Sequence, residues 1–295
     1  MEKPFHFNKR HGKKGQGKSI SSPQSQPGAL PRDFVQKKSL GQHFLSDQSI
    51  LSFEAERLSC EGQGVLEIGA GDGRLSEKIL AQNPSSLTLV ELDLGLAKFL
   101  RNRFRKEKRV VVAEADILGY LGSTPLLPPV ITGNIPYKIS GPLFALLSKS
   151  DFTRALFCVQ AEMAQRLCAK PGTHDWGKLS VFLQHKYEVK TLLKVPPGAF
   201  SPPPKVESAI IELLQKKKME ILPLPENFEQ VVSALFSHRL QSVGNALFHS
   251  RHIFCLGKED AKQLANTIIY SKRKVFMLQE TELAEIAQAV LGRKS

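Results

Sequence analysis

From Gly64 to Leu167, short apolar runs and amphipathic stretches alternate without interruption. Gly64-Val65-Leu66-Glu67-Ile68 reads as a buried strand, Arg74 to Ala81 as a helix, Leu87 to Leu92 as a second strand and Leu94 to Arg105 as a second helix. Val110 to Ala113 and Val130 to Thr132 are predicted strands, Leu143 to Leu147 begins a helix, and Ala155 to Gln160 is a fifth strand followed by a helix through Leu167. Repeated strand-helix-strand units imply an α/β fold: a parallel sheet covered on both faces, with ligands bound beyond the strands' carboxyl ends.

The pattern then changes. Residues 196–205, Pro-Pro-Gly-Ala-Phe-Ser-Pro-Pro-Pro-Lys, form a proline-braced loop, and Val206 to Leu214 resumes as a strand. After Lys216-Lys217-Lys218 only helical periodicity remains, as in Phe228, Val231, Val232, Leu235 and Phe236, so a small all-helical domain follows. Residues 1–36 lack the apolar content to fold alone and read as a disordered basic tail. The expected division is therefore that tail, a sheet domain over 37–218 and a helical domain over 219–295.

Charge narrows the partner. A formal net charge of +13 favours a polyanion, nucleic acid before a membrane surface, over a merely soluble basic protein. The first 38 residues hold nine Lys or Arg against Glu2 and Asp33, a net +7, which makes the tail either an RNA-phosphate arm or a solvated appendage. The basic run from Arg101 to Arg109 reads as a solvated helix face. Cys60, Cys158, Cys168 and Cys255 show no CxxC spacing, so reduced thiols and no metal site are expected. No apolar run approaches a membrane span and no signal-peptide core is visible, which makes the cytoplasm the expected location.

Glu67-Ile68-Gly69-Ala70-Gly71-Asp72-Gly73 lies between a predicted strand and helix, and its glycines let the backbone turn sharply and approach a ligand. Glu91 ends the second strand, where a carboxylate accepts from ribose hydroxyls, and Asp116 follows the third, where it can receive an adenine amino group. A dinucleotide fingerprint fails because Arg74 stands at the third glycine position, and no Gly-Lys-Ser/Thr completes a Walker loop. S-adenosylmethionine, with no pyrophosphate to cradle, suits this shorter loop; a purely structural glycine turn is the alternative.

Asn134-Ile135-Pro136-Tyr137 follows the fourth predicted strand. Proline stiffens the loop and biases Ile135 toward extended geometry. An amide acceptor, a backbone carbonyl outside any helix and an aromatic ring then sit within four residues, a set suited to gripping an amine-bearing ring such as adenine. Read alone, the same four residues are an ordinary turn.

Leu40-Gly41-Gln42-His43-Phe44-Leu45, the glycine loop, Glu91-Leu92-Asp93, Ala115-Asp116, Asn134-Ile135-Pro136-Tyr137 and Phe200-Ser201-Pro202-Pro203-Pro204-Lys205-Val206 together resemble, in order and spacing, the ribosomal RNA adenine N6-dimethyltransferase family. The likeness covers about residues 37–250 and is to the small-subunit, KsgA-like branch with an archaeal flavour. It implies a Rossmann-like methyltransferase sheet with a small helical C-terminal domain, and S-adenosylmethionine held by Gln42, His43, Leu45, Gly69, Gly71, Glu91, Asp116 and Asn134. The resemblance makes Asn134, Pro136, Tyr137 and Phe200 the catalytic set: acceptors from Asn134 and the Pro136 region bias the target nitrogen, while Tyr137 and Phe200 hold the two faces of a flipped base. No strong general base is needed on this reading. It further implies a monomer that dimethylates two adjacent adenosines in the 3'-terminal hairpin loop of small-subunit rRNA, within an immature subunit and with a role in its biogenesis. The alternatives are a large-subunit methyltransferase of the resistance type and a mainly non-catalytic assembly factor.

Three departures stand out. His43 occupies a position that many bacterial members fill with Asn, and it can also donate to a cofactor carboxylate. Residues 236–247 resemble the family's basic helix, but Leu240, Gln241 and Gly244 stand where further basic residues are common. The basic tail is not a usual family feature. Elsewhere, His174 and Trp176 are expected to shape a loop near the substrate face, and Met163 and the cysteines to fill core.

Overall fold

The computed structural model describes residues 43–124 and 126–291; the predicted tail and Gln42 lie outside the described residues. The elements follow in the order β1 (Phe44–Leu45), α1 (Gln48–Leu58), β2 (Gly64–Ile68), α2 (Arg74–Ala81), β3 (Ser86–Glu91), α3 (Leu94–Arg103), β4 (Val110–Glu114) and α4 (Ile117–Ser123). Then come β5 (Val130–Asn134), α5 (Ser140–Leu147), β6 (Arg154–Gln160), α6 (Ala161–Cys168), α7 (Lys178–Lys186), β7 (Tyr187–Val195), β8 (Phe200–Ser201) and β9 (Ser208–Gln215). Four helices complete the chain: α8 (Phe228–Phe236), α9 (Val243–His249), α10 (Lys258–Thr267) and α11 (Glu280–Leu291).

Seven strands form one sheet in the order β4-β3-β2-β5-β6-β9-β7. The first five are parallel, as their intervening helices require, and β9 runs antiparallel to both β6 and β7. An all-parallel reading therefore fails at this edge, because β7 reaches β9 through the proline loop, with no crossover helix to reverse direction. That loop carries β8, which pairs antiparallel with β1 as a separate two-stranded strap, Leu45 opposite Phe200.

Helices cover both faces, so the central strands are apolar on alternate and consecutive positions alike. Leu66, Ile68, Ile131 and Phe157 pack on one side with Phe144 of α5. Val65, Leu87, Val130 and Leu156 pack on the other with Leu51 and Leu58 of α1. Acidic caps set several helix starts. The Asp47 carboxylate accepts from the Ser49 and Ile50 amides, Asp93 from the Leu96 amide, and Asp116 from the Gly119 amide.

The helical region has its own core around Val231, Val232, Leu235, Leu247, Leu283 and Ile286. Trp176 belongs to that core. It is 3% exposed, and its indole N–H donates to the Leu278 carbonyl at 3.1 Å. Its predicted place in a loop shaping the substrate face gives way to that of an anchor between sheet and helices. Arg239 reinforces the junction by donating to the His174 carbonyl, so it is a packing residue of this helical region. A Cβ at Gly244 would stand 2.4 Å from the Ala265 carbonyl oxygen and 2.7 Å from Ser271 Oγ, which explains why no basic side chain occupies that position.

Three of the six cations between Arg101 and Arg109 are held in ion pairs. Arg101 pairs with Glu114 at 3.2 Å, Arg103 with Glu77 at 2.6 Å, and Arg109 with Glu107 at 2.8 Å. Arg103 is nearly buried, between the rings of Phe99 and Phe104, so the solvated-face reading does not hold for it. Cys60 and Cys158 fill core as expected, whereas Cys255 is exposed. Among the described residues no helix is long and apolar enough to cross a membrane, and no cluster of His, Cys, Asp or Glu is placed to hold a metal.

Candidate active site

The sheet order reverses between β2 and β5, and the carboxyl ends of β2, β3, β4 and β5 open there into one cavity. Two glycines permit the convergence. Gly71 has a φ of +57°, and a Cβ on it would lie 3.0 Å from the Phe44 ring. At Gly133, in β5, a Cβ would lie 2.3 Å from the Ile68 carbonyl oxygen, so any side chain would push the two central strands apart.

Glu91 organises the glycine loop. Its Oε2 accepts from the Gly71 amide and its Oε1 from the Asp93 amide, each at 2.9 Å, with the side chain buried. Burial raises its pKa, against the opposing pull of these backbone N–H groups. Each carboxylate oxygen retains a second lone pair for a ligand hydroxyl. Asp116, Leu92, Leu96 and Ile117 line the same chamber, which combines two acceptor carboxylates with apolar walls. Lys138 is the one lysine or arginine lining it among the described residues. That donor set, with a loop whose backbone a Cβ would block, fits the nucleoside and sulfonium of S-adenosylmethionine and not a dinucleotide.

Beside this chamber stands the end of β5. Asn134 is the last residue of the strand, where the sequence suggested a loop, and its side-chain amide donates to the His43 carbonyl at 2.9 Å. A carbonyl can only accept, so the Asn134 nitrogen is turned to His43 and its Oδ1 becomes the outward acceptor. Ile135 is 1% exposed and ties the turn to β6 through the Cys158 carbonyl at 2.9 Å. The expectation of an unengaged Pro136 carbonyl is corrected: it accepts from the Ile139 amide at 3.1 Å, closing a 3-10 turn over Tyr137–Ile139, and from the Ser140 hydroxyl at 3.4 Å.

Tyr137 is half-buried. Its hydroxyl lies 3.0 Å from Ser208 Oγ, and desolvation holds its pKa above the ordinary phenol value. The His43 and Tyr137 rings are nearly parallel, inclined at 22° with centroids 6.1 Å apart. His43 Nδ1 lies 2.8 Å from the Pro202 carbonyl oxygen and must carry the hydrogen. The donor that His43 could offer a cofactor carboxylate is therefore not Nδ1–H, which the Pro202 carbonyl engages. Phe200 lines the cavity, but at 4% exposed its ring is mostly committed to the strap, where it pairs with the buried Leu45. Leu45 supports the strap from beneath, facing a smaller adjoining cleft formed by Gly69, Gly71 and Asn134.

The structure thus brings His43, Gly69, Gly71, Glu91, Asp116, Asn134, Pro136, Tyr137 and Phe200 to one cavity. Residue-by-residue reading missed Gly133, Pro202 and Ser208. Gly133 carried a usable signal, a glycine interrupting an apolar strand. Ser208 carried none, since its partner lies 71 positions away.

The sequence pattern of the family described as "Ribosomal RNA adenine dimethylase" matches residues 34–285. A ribosomal RNA small subunit methyltransferase A from Anaeromyxobacter sp. (strain K) is 37% identical over 231 residues, covering 73% of this chain and 80% of the relative. A probable ribosomal RNA small subunit methyltransferase A from Pyrococcus furiosus is 33% identical over 261 residues, covering 87% of this chain and 92% of the relative. The crystal structure of a dimethyladenosine transferase from Plasmodium falciparum superposes with a TM-score of 0.72 over 85% of this chain and 98% of that one, at 23% identity, and speaks for the fold alone. With S-adenosylmethionine as its methyl donor, the chain belongs to the ribosomal RNA adenine dimethylase family.

Proposed function

We propose that this protein dimethylates N6 of two adjacent adenosines in the 3'-terminal hairpin loop of small-subunit rRNA, acting as a cytoplasmic monomer on an immature subunit during its biogenesis. The observation that carries this reading is the bond from Asn134 to the His43 carbonyl, which presents Oδ1 beside a chamber suited to a methyl donor. Gly69, Gly71, Glu91 and Asp116 hold S-adenosylmethionine, which supplies an electrophilic methyl group.

The adenine N6 lone pair is delocalised into its ring and attacks poorly. Oδ1 of Asn134, accepting an N6 hydrogen, favours a more tetrahedral nitrogen whose lone pair faces the methyl. Tyr137 stacks on one face of the extruded base and the accessible edge of Phe200 limits the other, so the reacting atoms are held in line. Covering the base also excludes water from the transfer. The sheet region over 37–218 carries the chemistry. The helical region over 219–295 docks RNA, with Arg239 also tied to the His174 carbonyl at the domain junction.

The test supplies labelled S-adenosylmethionine and the protein to small subunits lacking the dimethyl mark, then maps the product by mass spectrometry. Two adjacent N6,N6-dimethyladenosines in the terminal hairpin are expected. No dimethyladenosine, or label confined to large-subunit rRNA in a parallel reaction, would overturn the proposal.

A further inference from the structure

His43 is the one imidazole among the described side chains that line the cavity. Of the titratable groups lining it, Glu91 is engaged by two backbone amides, Asp116 caps α4, and the Tyr137 hydroxyl is paired with Ser208 and held in its neutral form by burial. Lys138, from the turn after β5, is a cation and has no lone pair to give. His43 remains. The Pro202 carbonyl at 2.8 Å fixes the hydrogen on Nδ1, so in the neutral ring Nε2 carries the lone pair. The ring stacks loosely beside Tyr137, centroids 6.1 Å apart, while the backbone carbonyl of the same residue accepts from Asn134, so His43 lines the cavity together with both groups assigned to the target base.

We infer that His43 takes up, through Nε2, the proton that the target N6 sheds at each methyl transfer. This rests on the function proposed above and refines it. As the N6–carbon bond forms, the carbon–sulfur bond breaks and its electron pair stays on sulfur, so positive charge develops on N6. In the same step the N6 proton passes to Nε2, giving a neutral methylated adenine and an imidazolium. The imidazolium keeps its Nδ1–H bond to Pro202 and returns the Nε2 proton to water. Two methylations release two protons, one per cycle, so a single acceptor serves both.

The full-length protein is tested in single-turnover methylation of unmarked small subunits at saturating methyl donor across pH 5–9. In parallel, the His43 ring of imidazole-15N-labelled protein is titrated by NMR without donor or RNA. The Nδ1–H tautomer is expected. The rate should fall tenfold per pH unit below a midpoint that coincides with the His43 titration. His43→Asn keeps the backbone carbonyl that orients Asn134 but has no titratable nitrogen. It should lower the plateau rate on the order of 100-fold and abolish the acidic limb. His43→Gln serves as a second variant should the first fold poorly, as judged by circular dichroism. A limb that persists in the variant, a flat wild-type profile, or an Nε2–H tautomer would overturn the inference while leaving methylation itself standing. If the wild type methylates nothing at any pH, the proposed function fails and this inference with it.

Discussion

The side-chain amide of Asn134 donates to the backbone carbonyl of His43, 91 positions upstream, at 2.9 Å. A free amide rotates between two orientations of similar energy, one presenting oxygen and the other nitrogen. This bond selects the first, because a carbonyl accepts and cannot donate. Replacing the side chain should therefore remove an aligned acceptor and leave the donor chamber intact. Asn134→Ala is expected to lower single-turnover methyl transfer on the order of 100-fold, as losing one preorganised polar group does elsewhere. Affinity for S-adenosylhomocysteine, measured by calorimetry, should change less than tenfold; a variant with full rate would remove this role from Asn134.

Glu91 bridges the glycine loop to the start of α3 through two backbone amides. Glu91→Gln turns one of those acceptors into an NH2 group facing an N–H, which breaks half the bridge. We expect S-adenosylhomocysteine affinity to fall by about tenfold, the worth of roughly 1.4 kcal/mol and a typical cost of one buried unsatisfied donor. Calorimetric titration of the variant decides it, and equal affinity would show that the loop holds its shape without the carboxylate.

At Gly244 the backbone of α9 approaches Ala265 so closely that a Cβ would lie 2.4 Å from its carbonyl oxygen. Gly244→Ala should destabilise the protein by about 1–3 kcal/mol through forced separation of α9 and α10. Gly122, in α4, has open space where a Cβ would go and is followed by Ser123, so Gly122→Ala serves as the control and should be neutral or stabilising by about 0.5–1 kcal/mol. Urea denaturation of both variants checks the contrast.

Glu54 of α1 is fully buried against Thr132 of β5, and desolvation pushes its pKa up to about 7. Glu67 behaves alike, raised to about 8 mainly by burial. Between pH 4.5 and 8 the folded protein therefore binds more protons at these sites than the unfolded chain, so their contribution to stability declines as pH rises. Glu54→Gln keeps an acceptor for Thr132 and removes the titration. The variant should melt higher than wild type at pH 8, by on the order of 2 kcal/mol, and match it more closely at pH 5. Thermal melts at the two pH values measure the change in slope; parallel profiles would show that Glu54 does not titrate in this window.

Much of the sheet was legible because strand burial and helix amphipathicity are local patterns. Arg74 to Ala81 and Gly64 to Ile68 match their predicted bounds. The helix from Leu94 stops at Arg103 and not Arg105, where Phe104 turns in to pack. The β7 strand escaped notice because its alternation of buried Tyr187 and Val189 with exposed Glu188 and Lys190 breaks at the irregularity between Thr191 and Leu193, and α7 runs into it without a turn residue to mark the boundary. The fate of Trp176 was equally hidden. Its sequence surroundings are those of a surface loop, and only the distant Leu278 carbonyl makes it an anchor.

By itself the sequence determined the five parallel strands and most of the helices between them, that a glycine loop and two carboxylates would meet at strand ends, and that Ile135 to Tyr137 would form a stiff turn. Each of these follows from side-chain period, proline geometry or glycine freedom, all of which act within a few residues. Tertiary structure alone decided that Asn134 would show its oxygen, that Tyr137 would tie to Ser208, and that His43 would keep its hydrogen on Nδ1. Those outcomes depend on a hydrogen-bond partner 91, 71 and 159 residues away, respectively, and no local pattern encodes which polar atom the folded chain brings within 3 Å.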